Sequence, residues 1–185
     1  MDFELTDIPG LIVLKPTRFG DDRGYFAEIY NRKKMFAAGM AYEFVQDNGS
    51  LSHQTGTLRG MHYQAPPFAQ AKLVRCVHGA IYDAVVDVRK GSPTYGKTFG
   101  LELTAENGLQ LMVPEGFLHG FVTREPDTEV AYKVNAHYSA ESDGSVHWDS
   151  CGIDWGLTTP PVLSPKDDAA VSLSDFDSPF EWTPE

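Results

Sequence analysis

The stretch that decides the fold is VPEGFLHGF, Val113–Phe121. Counted from Gly108, it has the spacing Gly, five residues, Pro114, one residue, Gly116, two residues, His119. A short apolar run leads into it, and similar runs recur along the chain between turn signals rich in Gly, Pro and Asn. Many short strands punctuated in this way predict an all-β fold, which is a sandwich, a barrel or a jelly roll.

The pattern also predicts individual elements. Asn31 is a candidate N-cap for a short helix over Arg32–Ala38, which Gly39 would end. Ser164-Pro165 has the pattern of an N-cap and first turn, and predicts a turn or short helix at Lys166–Ala170. The apolar runs predicted to be strands are Leu11–Leu14, Lys72–Val77, Ala80–Val88, Phe99–Leu103, Leu109–Val113 and Glu129–Val134.

The 185 residues contain no repeat, no low-complexity tract and no linker, so residues 1–185 are expected to form one domain. The tail after Val171 is acidic and contains proline. It is expected to dock on the domain, with Phe176, Phe180 and Trp182 as candidate anchors.

The charge of the chain limits its partners. Lysine plus arginine total 15 against 26 aspartate plus glutamate, for a formal net charge of −11. Nucleic-acid binding is therefore disfavoured, because it requires a basic surface. An anionic small molecule remains compatible, provided that specific arginines and lysines hold it.

The sequence predicts a cytoplasmic protein. Its first residues, MDFELTDIPG, lack the basic start and apolar run of a signal peptide, and no stretch approaches the roughly 18 apolar residues of a membrane span. The two cysteines, Cys76 and Cys151, are expected to be buried thiols in a reducing compartment.

The stretch LRGMHYQ, Leu58–Gln64, places an arginine and a histidine in a strand-like setting. Strict alternation points Arg59 and His62 to opposite faces of the strand. A bulge at Gly60 would bring both side chains to one face. On this pattern alone, a lone strand histidine is more often structural than catalytic.

Two other strands carry charges among apolar residues. Lys72 shares a strand face with Val74 and Cys76, which is unusual for a lysine; the alternative is a strand-end lysine that reaches solvent along its stem. Asp83 and Asp87, in AIYDAVVDV, are expected to be carboxylates that face an edge.

The spacing from Gly108 to His119 resembles the second conserved motif of the cupin superfamily, a double-stranded β-helix or jelly roll. The first cupin motif supplies two histidines as HxH and a later glutamate, whereas the corresponding stretch here contains only His62. The spacing of the remaining histidines does not replace the missing ligands. No metal site is therefore expected, and a metal-dependent cupin is disfavoured.

Several segments together resemble one cupin family, the dTDP-4-dehydrorhamnose 3,5-epimerases. The likeness runs from about residue 5 to about residue 172, in the same order along the chain. The matching segments are FGDDRGYFAEIYN (19–31), FVQDNGSLS (44–52), LRGMHYQ (58–64), QAKLVRCVHGAIYDAVVDVRKGSPTYG (70–96), VPEGFLHGF (113–121), YKVNAHYS (132–139), GIDW (152–155) and LSPKDDAA (163–170).

The resemblance implies catalytic roles for four residues. His62 would be the base and Asp167 its carboxylate partner. Tyr132 would be the general acid. Lys72 would be the cation near the developing oxyanion.

The resemblance also implies a binding site. His119 and Arg59 would line the sugar-diphosphate site, and Tyr138 would stack on the thymine ring. Asp143, at a position where the family often has glutamate, would also contact the nucleotide. The loop Ala65–Ala69 varies in the family and is assigned no role. The residues implied to contact the nucleotide are Arg23, Glu28, Gln46, Asp47, Asn48 and Lys166.

The implied reaction converts dTDP-4-dehydro-6-deoxy-D-glucose to dTDP-4-dehydro-L-rhamnose, a step of dTDP-L-rhamnose biosynthesis. Whether the sugar serves a polysaccharide such as O-antigen or a glycosylated metabolite stays open. Both C3 and C5 are α to the C4 ketone, so the substrate carries its own electron sink and no cofactor is expected. A homodimer is implied as well, with N-terminal strands that pack across the interface and contribute to the partner's nucleotide pocket.

Two alternatives stay open within this resemblance. An epimerase that acts only at C3 or only at C5 would share the base, the acid and the fold. A non-catalytic sugar-nucleotide-binding cupin would be expected to lack the base or the acid, yet His62, Asp167 and Tyr132 are all present.

Overall fold

Alternating apolar residues on short strands build two antiparallel sheets that face each other. The computed structural model describes residues 1–184. Within them the strands are β1 (Asp2–Leu5), β2 (Ile12–Lys15), β3 (Arg18–Asp21), β4 (Gly24–Ala27), β5 (Gln46–Ser52), β6 (Leu58–Gln64), β7 (Lys72–His78), β8 (Ala80–Asp87), β9 (Thr98–Thr104), β10 (Gln110–Val113), β11 (Phe117–Thr123), β12 (Thr128–Val134) and β13 (Asp143–Ser145).

The six-stranded sheet has the order β1-β2-β10-β7-β12-β5, and the five-stranded sheet has the order β13-β6-β11-β8-β9. A separate two-stranded hairpin consists of β3 and β4. Neighbouring strands in each sheet run antiparallel. This is the expected double-stranded β-helix, or jelly roll.

Three apolar clusters hold the sheets in place. The first lies between the two sheets and includes Val74 of β7, Val85 of β8 and Phe121 of β11. The second covers the outer face of the five-stranded sheet with C-terminal residues such as Trp155. The third covers the outer face of the six-stranded sheet, where Met35 and its neighbours pack. Burial of apolar area in these layers is the main stabilising contribution to the fold.

Two α-helices are short and end close to the predicted positions. Helix α1 (Arg32–Ala37) is capped by Asn31, whose side chain accepts from the Lys34 N–H. Helix α2 (Pro165–Asp168) is capped by Ser164 and begins one residue earlier than expected. Two 3₁₀ helices, Trp148–Cys151 and Leu173–Asp175, follow β13 and α2 and were not predicted.

The predicted strands are present, and each of their ends lies within one residue of the predicted position. Strand β5 has no apolar run and was missed, because its sequence QDNGSLS is polar. It pairs with β12 along its whole length. The hairpin strands β3 and β4 also lack an apolar run.

The tail docks as expected. Lys90 N–H donates to Phe180 O at 2.9 Å, and Trp182 N–H donates to Lys90 O at 2.8 Å. The rings of Phe176 and Phe180 both pack against Tyr63. The tail therefore covers the outer face of β6.

The expectation that Asp87 faces an edge is wrong. Asp87 is fully buried and accepts hydrogen bonds from Arg89, Ser92 and Thr94 at 2.7 to 3.0 Å. The Arg89 guanidinium lies between the Phe117 and Trp182 rings, 4.4 Å from each centroid. Because every Asp87 oxygen is paired, the charge can be buried at the end of β8.

Cys76 and Cys151 are free and buried, and burial raises the pKa of each thiol to about 11. Among residues 1–184, no helix has the length and apolar character needed to cross a membrane.

Candidate active site

A bulge in β6 brings Arg59 and His62 to the same face. His62 is opposite His119, and Arg59 is opposite Phe121, so Gly60 and Met61 together face the single residue between them on β11. Because His119 and Phe121 share the inner face of β11, their partners on β6 share it too. The predicted bulge at Gly60 is confirmed.

Only glycine suits position 60. Its φ of +141° lies in a region that side-chain-bearing residues rarely adopt. A Cβ there would lie 2.5 Å from Gly120 Cα. The bulge that turns both Arg59 and His62 inward therefore requires glycine at position 60.

His62 contacts Asp167, as the resemblance implied. His62 Nε2 lies 2.5 Å from Asp167 Oδ1. The aspartate side chain is 4% exposed and the histidine side chain 32%. An ionised carboxylate only accepts hydrogen bonds, so this contact places the histidine proton on Nε2 and leaves the Nδ1 lone pair available.

The cap of α2 positions the carboxylate. Ser164 Oγ accepts from the Asp167 N–H at 3.1 Å, which orients the first turn. Burial alone would raise the pKa of Asp167, but hydrogen bonds from His62 and Ser164 hold that pKa below its usual value. Asp167 is thus ionised at neutral pH.

Asp83 and His119 form a buried pair between the sheets, and the Asp83 charge acts on Lys72. Asp83 is fully buried, and its Oδ1 accepts from His119 Nε2 at 2.8 Å. Its Oδ2 is buried without a hydrogen-bond partner among the described residues. Burial lowers the pKa of Lys72 to about 8, and the Asp83 charge opposes that decrease. Burial also lowers the pKa of His119, which is therefore neutral at pH 7.

The expectation that Asp83 faces an edge is wrong, and Asp83 is a site residue that the sequence reasoning missed. It lies on β8 between Ile81 and Val85, both of which belong to the core between the sheets. The alternation that places Asp83 on the same strand face as Ile81 and Val85 could be read from the sequence. A buried carboxylate beside Lys72 is also the partner that an inward-facing lysine requires.

Tyr132 points inward from the other sheet. It lies on β12 between the buried residues Val130 and Val134 and packs against the central cluster. Burial raises the pKa of its hydroxyl, while the Arg59 charge lowers it. The hydroxyl is therefore protonated at neutral pH.

Arg59 and the β5 amides lie beside Tyr132. Arg59 donates to Ser52 Oγ and Leu51 O, both at 3.1 Å, so its guanidinium is held against β5. Gln46 Nε2 donates to Asn48 Oδ1 at 2.9 Å.

The structure does not bring Asp47 together with Gln46 and Asn48. Strand alternation turns Asp47 to the opposite face of β5. There it forms an ion pair with Lys133 at 2.9 Å. A nucleotide contact by this carboxylate within the same chain is therefore not supported.

Tyr138, Asp143 and Lys166 lie together at the edge of the site, which we call the rim. Tyr138 Oη donates to Asp143 Oδ2 at 3.2 Å, and Lys166 Nζ contacts the same oxygen at 2.5 Å. The Asp143 charge raises the pKa of Tyr138. The Tyr138 ring is 60% exposed.

Arg23 and Glu28 lie apart from this group. Arg23 is on the turn of the β3–β4 hairpin, is 89% exposed and pairs with Asp21 at 2.5 Å. Glu28 pairs with Lys34 at 2.7 Å and accepts from Asn31 at 2.9 Å. Among residues 1–184, neither side chain has a hydrogen bond or ion pair with another predicted site residue.

No group of three or more His, Cys, Asp or Glu side chains in residues 1–184 is arranged to hold a metal ion. The described residues therefore offer no candidate metal centre.

Comparisons with known proteins agree with one another. A family model described as dTDP-4-dehydrorhamnose 3,5-epimerase matches residues 5–175. A curated relative of that name from Sinorhizobium fredii is 50% identical over 185 residues, which cover 98% of this chain and 94% of the relative. The crystal structure of the Bacillus anthracis dTDP-4-dehydrorhamnose 3,5-epimerase with TDP and PPi bound is 46% identical, with a TM-score of 0.90 over 93% of this chain and 99% of that one.

A second solved structure is similar over an even larger share of the chain. It is dTDP-6-deoxy-D-glucose-3,5-epimerase from Legionella pneumophila in complex with dTDP-4-keto-L-rhamnose. The two chains are 39% identical, with a TM-score of 0.93 over 98% of this chain and 99% of that one.

Proposed function

Since the chain belongs to the dTDP-4-dehydrorhamnose 3,5-epimerase family, we propose that it converts dTDP-4-dehydro-6-deoxy-D-glucose to dTDP-4-dehydro-L-rhamnose by removing and redelivering protons at C3 and C5. The protein is an isomerase. The observation that carries the mechanism is the 2.5 Å contact between His62 Nε2 and Asp167 Oδ1.

The substrate itself explains why protein side chains suffice. Each reacting carbon is adjacent to the C4 ketone, so loss of its proton gives an enolate whose charge rests on the ketone oxygen. The protein must then supply a base, a cation for the oxygen and an acid on the opposite face of the sugar.

His62 is the base, acting through Nδ1. Its Nε2–H is held by Asp167, which fixes the tautomer and stabilises the imidazolium that forms when Nδ1 takes the proton. The histidine side chain is 32% exposed, so that a substrate can reach it.

Lys72 stabilises the enolate oxygen. With a pKa of about 8, its ammonium is mainly protonated at pH 7, and it is partly buried, where a positive charge acts more strongly than in water. Asp83 keeps the charge on the lysine by opposing the effect of burial.

Tyr132 is the acid that returns the proton. It projects from β12 of the six-stranded sheet, whereas His62 projects from β6 of the five-stranded sheet. A base and an acid on opposite walls can remove a proton from one face of the sugar and deliver one to the other. Inversion at C3 and C5 requires this arrangement.

The nucleotide-diphosphate part is held by local cations. Arg59 presents a planar fork suited to phosphate oxygens, and Lys166 adds a second positive charge at the rim. Tyr138 supplies a ring for the base. In a protein of net charge −11, such a local patch is needed to bind an anionic substrate.

We further propose that residues 1–185 act as one domain in a cytoplasmic homodimer. Two free buried thiols suit a reducing compartment. The hairpin that carries Arg23 exposes aromatic side chains, which supports its burial against a second copy.

The test is NMR of dTDP-4-dehydro-6-deoxy-D-glucose incubated with the protein in D₂O. Deuterium at both C3 and C5 is expected. Deuterium at only one carbon would show that the protein is an epimerase acting at C3 alone or at C5 alone. Binding without any exchange would overturn the assigned base and acid.

A further inference from the structure

Gln64, the last residue of β6, has a buried amide whose bonds are all directed to backbone groups outside its own sheet. The residue is 5% exposed. Its Oε1 accepts from the Ser139 N–H at 2.9 Å, and its Nε2 donates to His137 O at 3.0 Å and to Phe68 O. A buried amide with both ends satisfied is a rigid connector.

The two residues that Gln64 binds in this segment flank Tyr138. The segment 137–139 belongs to no strand. The glutamine amide therefore takes the place of a neighbouring peptide group, which would bond the same N–H and C=O in a sheet. The Tyr138 N–H donates to Gln46 Oε1 at 3.1 Å. One glutamine from each sheet thus anchors this short stretch of backbone.

The Tyr138 ring depends on that anchoring. The residue is 60% exposed, and its Oη donates a hydrogen bond to Asp143 Oδ2 at 3.2 Å. The position of a ring with this exposure follows largely from the position of its backbone. An exposed flat ring at the rim of the site is suited to stacking on a nucleobase.

The same amide reaches the loop Ala65–Ala69, to which the sequence assigned no role. Nε2 of Gln64 donates to Phe68 O, and Ala65 N–H donates to Ser142 O at 2.7 Å. The loop and the segment around Tyr138 are thus held together as one wall of the rim.

We infer that Gln64 is a positioning residue that preorganises the Tyr138 ring for stacking on the base of a nucleoside diphosphate. The inference rests on the proposed function, since it takes Tyr138 as the base-stacking residue. A ring held in place before binding loses less conformational entropy when the ligand arrives. Gln64 therefore acts on the affinity for the base and not on proton transfer.

The test is Gln64→Met, which keeps the length of the side chain and removes the amide. Isothermal titration calorimetry with dTDP is expected to show an affinity about 10-fold weaker than that of the wild type, a part of the value of one base–aromatic stack. The affinity for inorganic pyrophosphate, which has no base, is expected to be unchanged. In turnover, KM is expected to rise while kcat stays within about twofold.

A double-mutant cycle separates positioning from general loosening of the structure. Adding Gln64→Met to Tyr138→Ala is expected to cost no further dTDP affinity, because the ring on which Gln64 acts is gone. The control is Thr128→Val, which removes a different buried bond, from Thr128 Oγ1 to Glu125 O at 2.8 Å. It is expected to lower stability without changing dTDP affinity.

Several results would overturn the inference. These are an unchanged dTDP affinity in Gln64→Met, an equal loss of pyrophosphate affinity, or additive effects in the cycle. A wild-type protein that fails to bind dTDP would instead overturn the proposed function.

Hydrogen exchange of the wild-type protein tests the same point should Gln64→Met not fold. The Ser139 amide is expected to exchange slowly before any ligand is added. Fast exchange that slows only with dTDP would show that the segment is ordered by the ligand, and would overturn the inference.

Discussion

Single residues divide the work of the site between chemistry and binding. His62 is bonded to a buried carboxylate, whereas Arg59 is bonded to neutral groups of β5 and keeps its charge for a ligand. We expect His62→Ala to abolish turnover, with kcat lower by at least about 10²-fold. We expect Arg59→Ala to raise KM about 10- to 100-fold with little change in kcat. Steady-state kinetics measures both.

The chain contains a matched control for each variant. His53 forms a similar pair with Asp127 at 2.7 Å, but at the surface, with the histidine side chain 76% exposed. Arg32 pairs with Glu43 and is 60% exposed. His53→Ala and Arg32→Ala are expected to leave kcat and KM unchanged. If His62→Ala and Arg59→Ala both raise KM and leave kcat unchanged, the assignment of His62 to proton transfer and Arg59 to binding is wrong.

The pH dependence tests the role of Asp83. Lys72 stabilises the enolate only while protonated, so kcat/KM is expected to fall as pH rises through about 8. Asp83 raises the pKa of Lys72, and Asp83→Asn removes that charge. The alkaline limb of the profile is therefore expected to move to lower pH. Asp127→Asn, at the surface, is expected to leave the pH profile unchanged. If the alkaline limb of Asp83→Asn stays at the wild-type pH, Asp83 does not raise the pKa of Lys72.

At the scale of elements, α2 matters because its first turn places Asp167. The Ser164 hydroxyl accepts from the Asp167 N–H and so orients the residue that holds His62. Ser164→Ala is expected to lower the free energy of unfolding by about 1 kcal/mol. It is also expected to lower kcat about threefold to tenfold, because the tautomer of His62 is held less firmly. Urea unfolding and kinetics measure the two effects.

A second cap serves as the control for this variant. Ser172 caps the 3₁₀ helix Leu173–Asp175, and its hydroxyl accepts from the Ser174 N–H. Ser172→Ala is expected to change stability slightly and kcat not at all. If Ser164→Ala leaves kcat unchanged, as Ser172→Ala is expected to do, the cap of α2 does not affect the action of His62 as a base.

At the scale of the whole molecule, we expect the hairpin of β3 and β4 to pack against a second copy of the chain. It is hydrogen-bonded as a separate two-stranded sheet, and its cross-strand pair Phe19 and Phe26 is 63% and 72% exposed. An isolated hairpin is marginally stable in water, so a covered aromatic face is expected. Light scattering is expected to give twice the chain mass of 20.5 kDa.

Substitution within the aromatic pair tests the interface. Phe26→Asp is expected to give monomers, and to lose activity with the dimer if the hairpin serves the neighbouring site. Val162→Asp places the same charge at another exposed apolar position, 40% exposed, and is expected to remain dimeric. A wild-type protein that is monomeric at all concentrations would contradict the proposal.

Prediction from sequence worked where a pattern is local. The strands around Lys72, Asp83 and Tyr132 were located because apolar alternation spans only a few residues. Strand β5 was missed because its polar residues face the site and leave no apolar run. The family roles of the site residues came from resemblance, and the geometry adds which nitrogen of His62 is free.

The sequence by itself determined the strands that carry an apolar run and both helix caps, and it offered Gly60 as the place for a bulge, because each of these depends on residues close together in the chain. Only the tertiary structure decided that Asp83 lies against His119, 36 residues away, and that Gln64 binds both neighbours of Tyr138. It also decided which groups pair with the buried Asp83 and Asp87. The physical reason is that contacts between residues far apart in sequence, and the partners of a buried charge, follow from how two sheets pack, which no local pattern encodes.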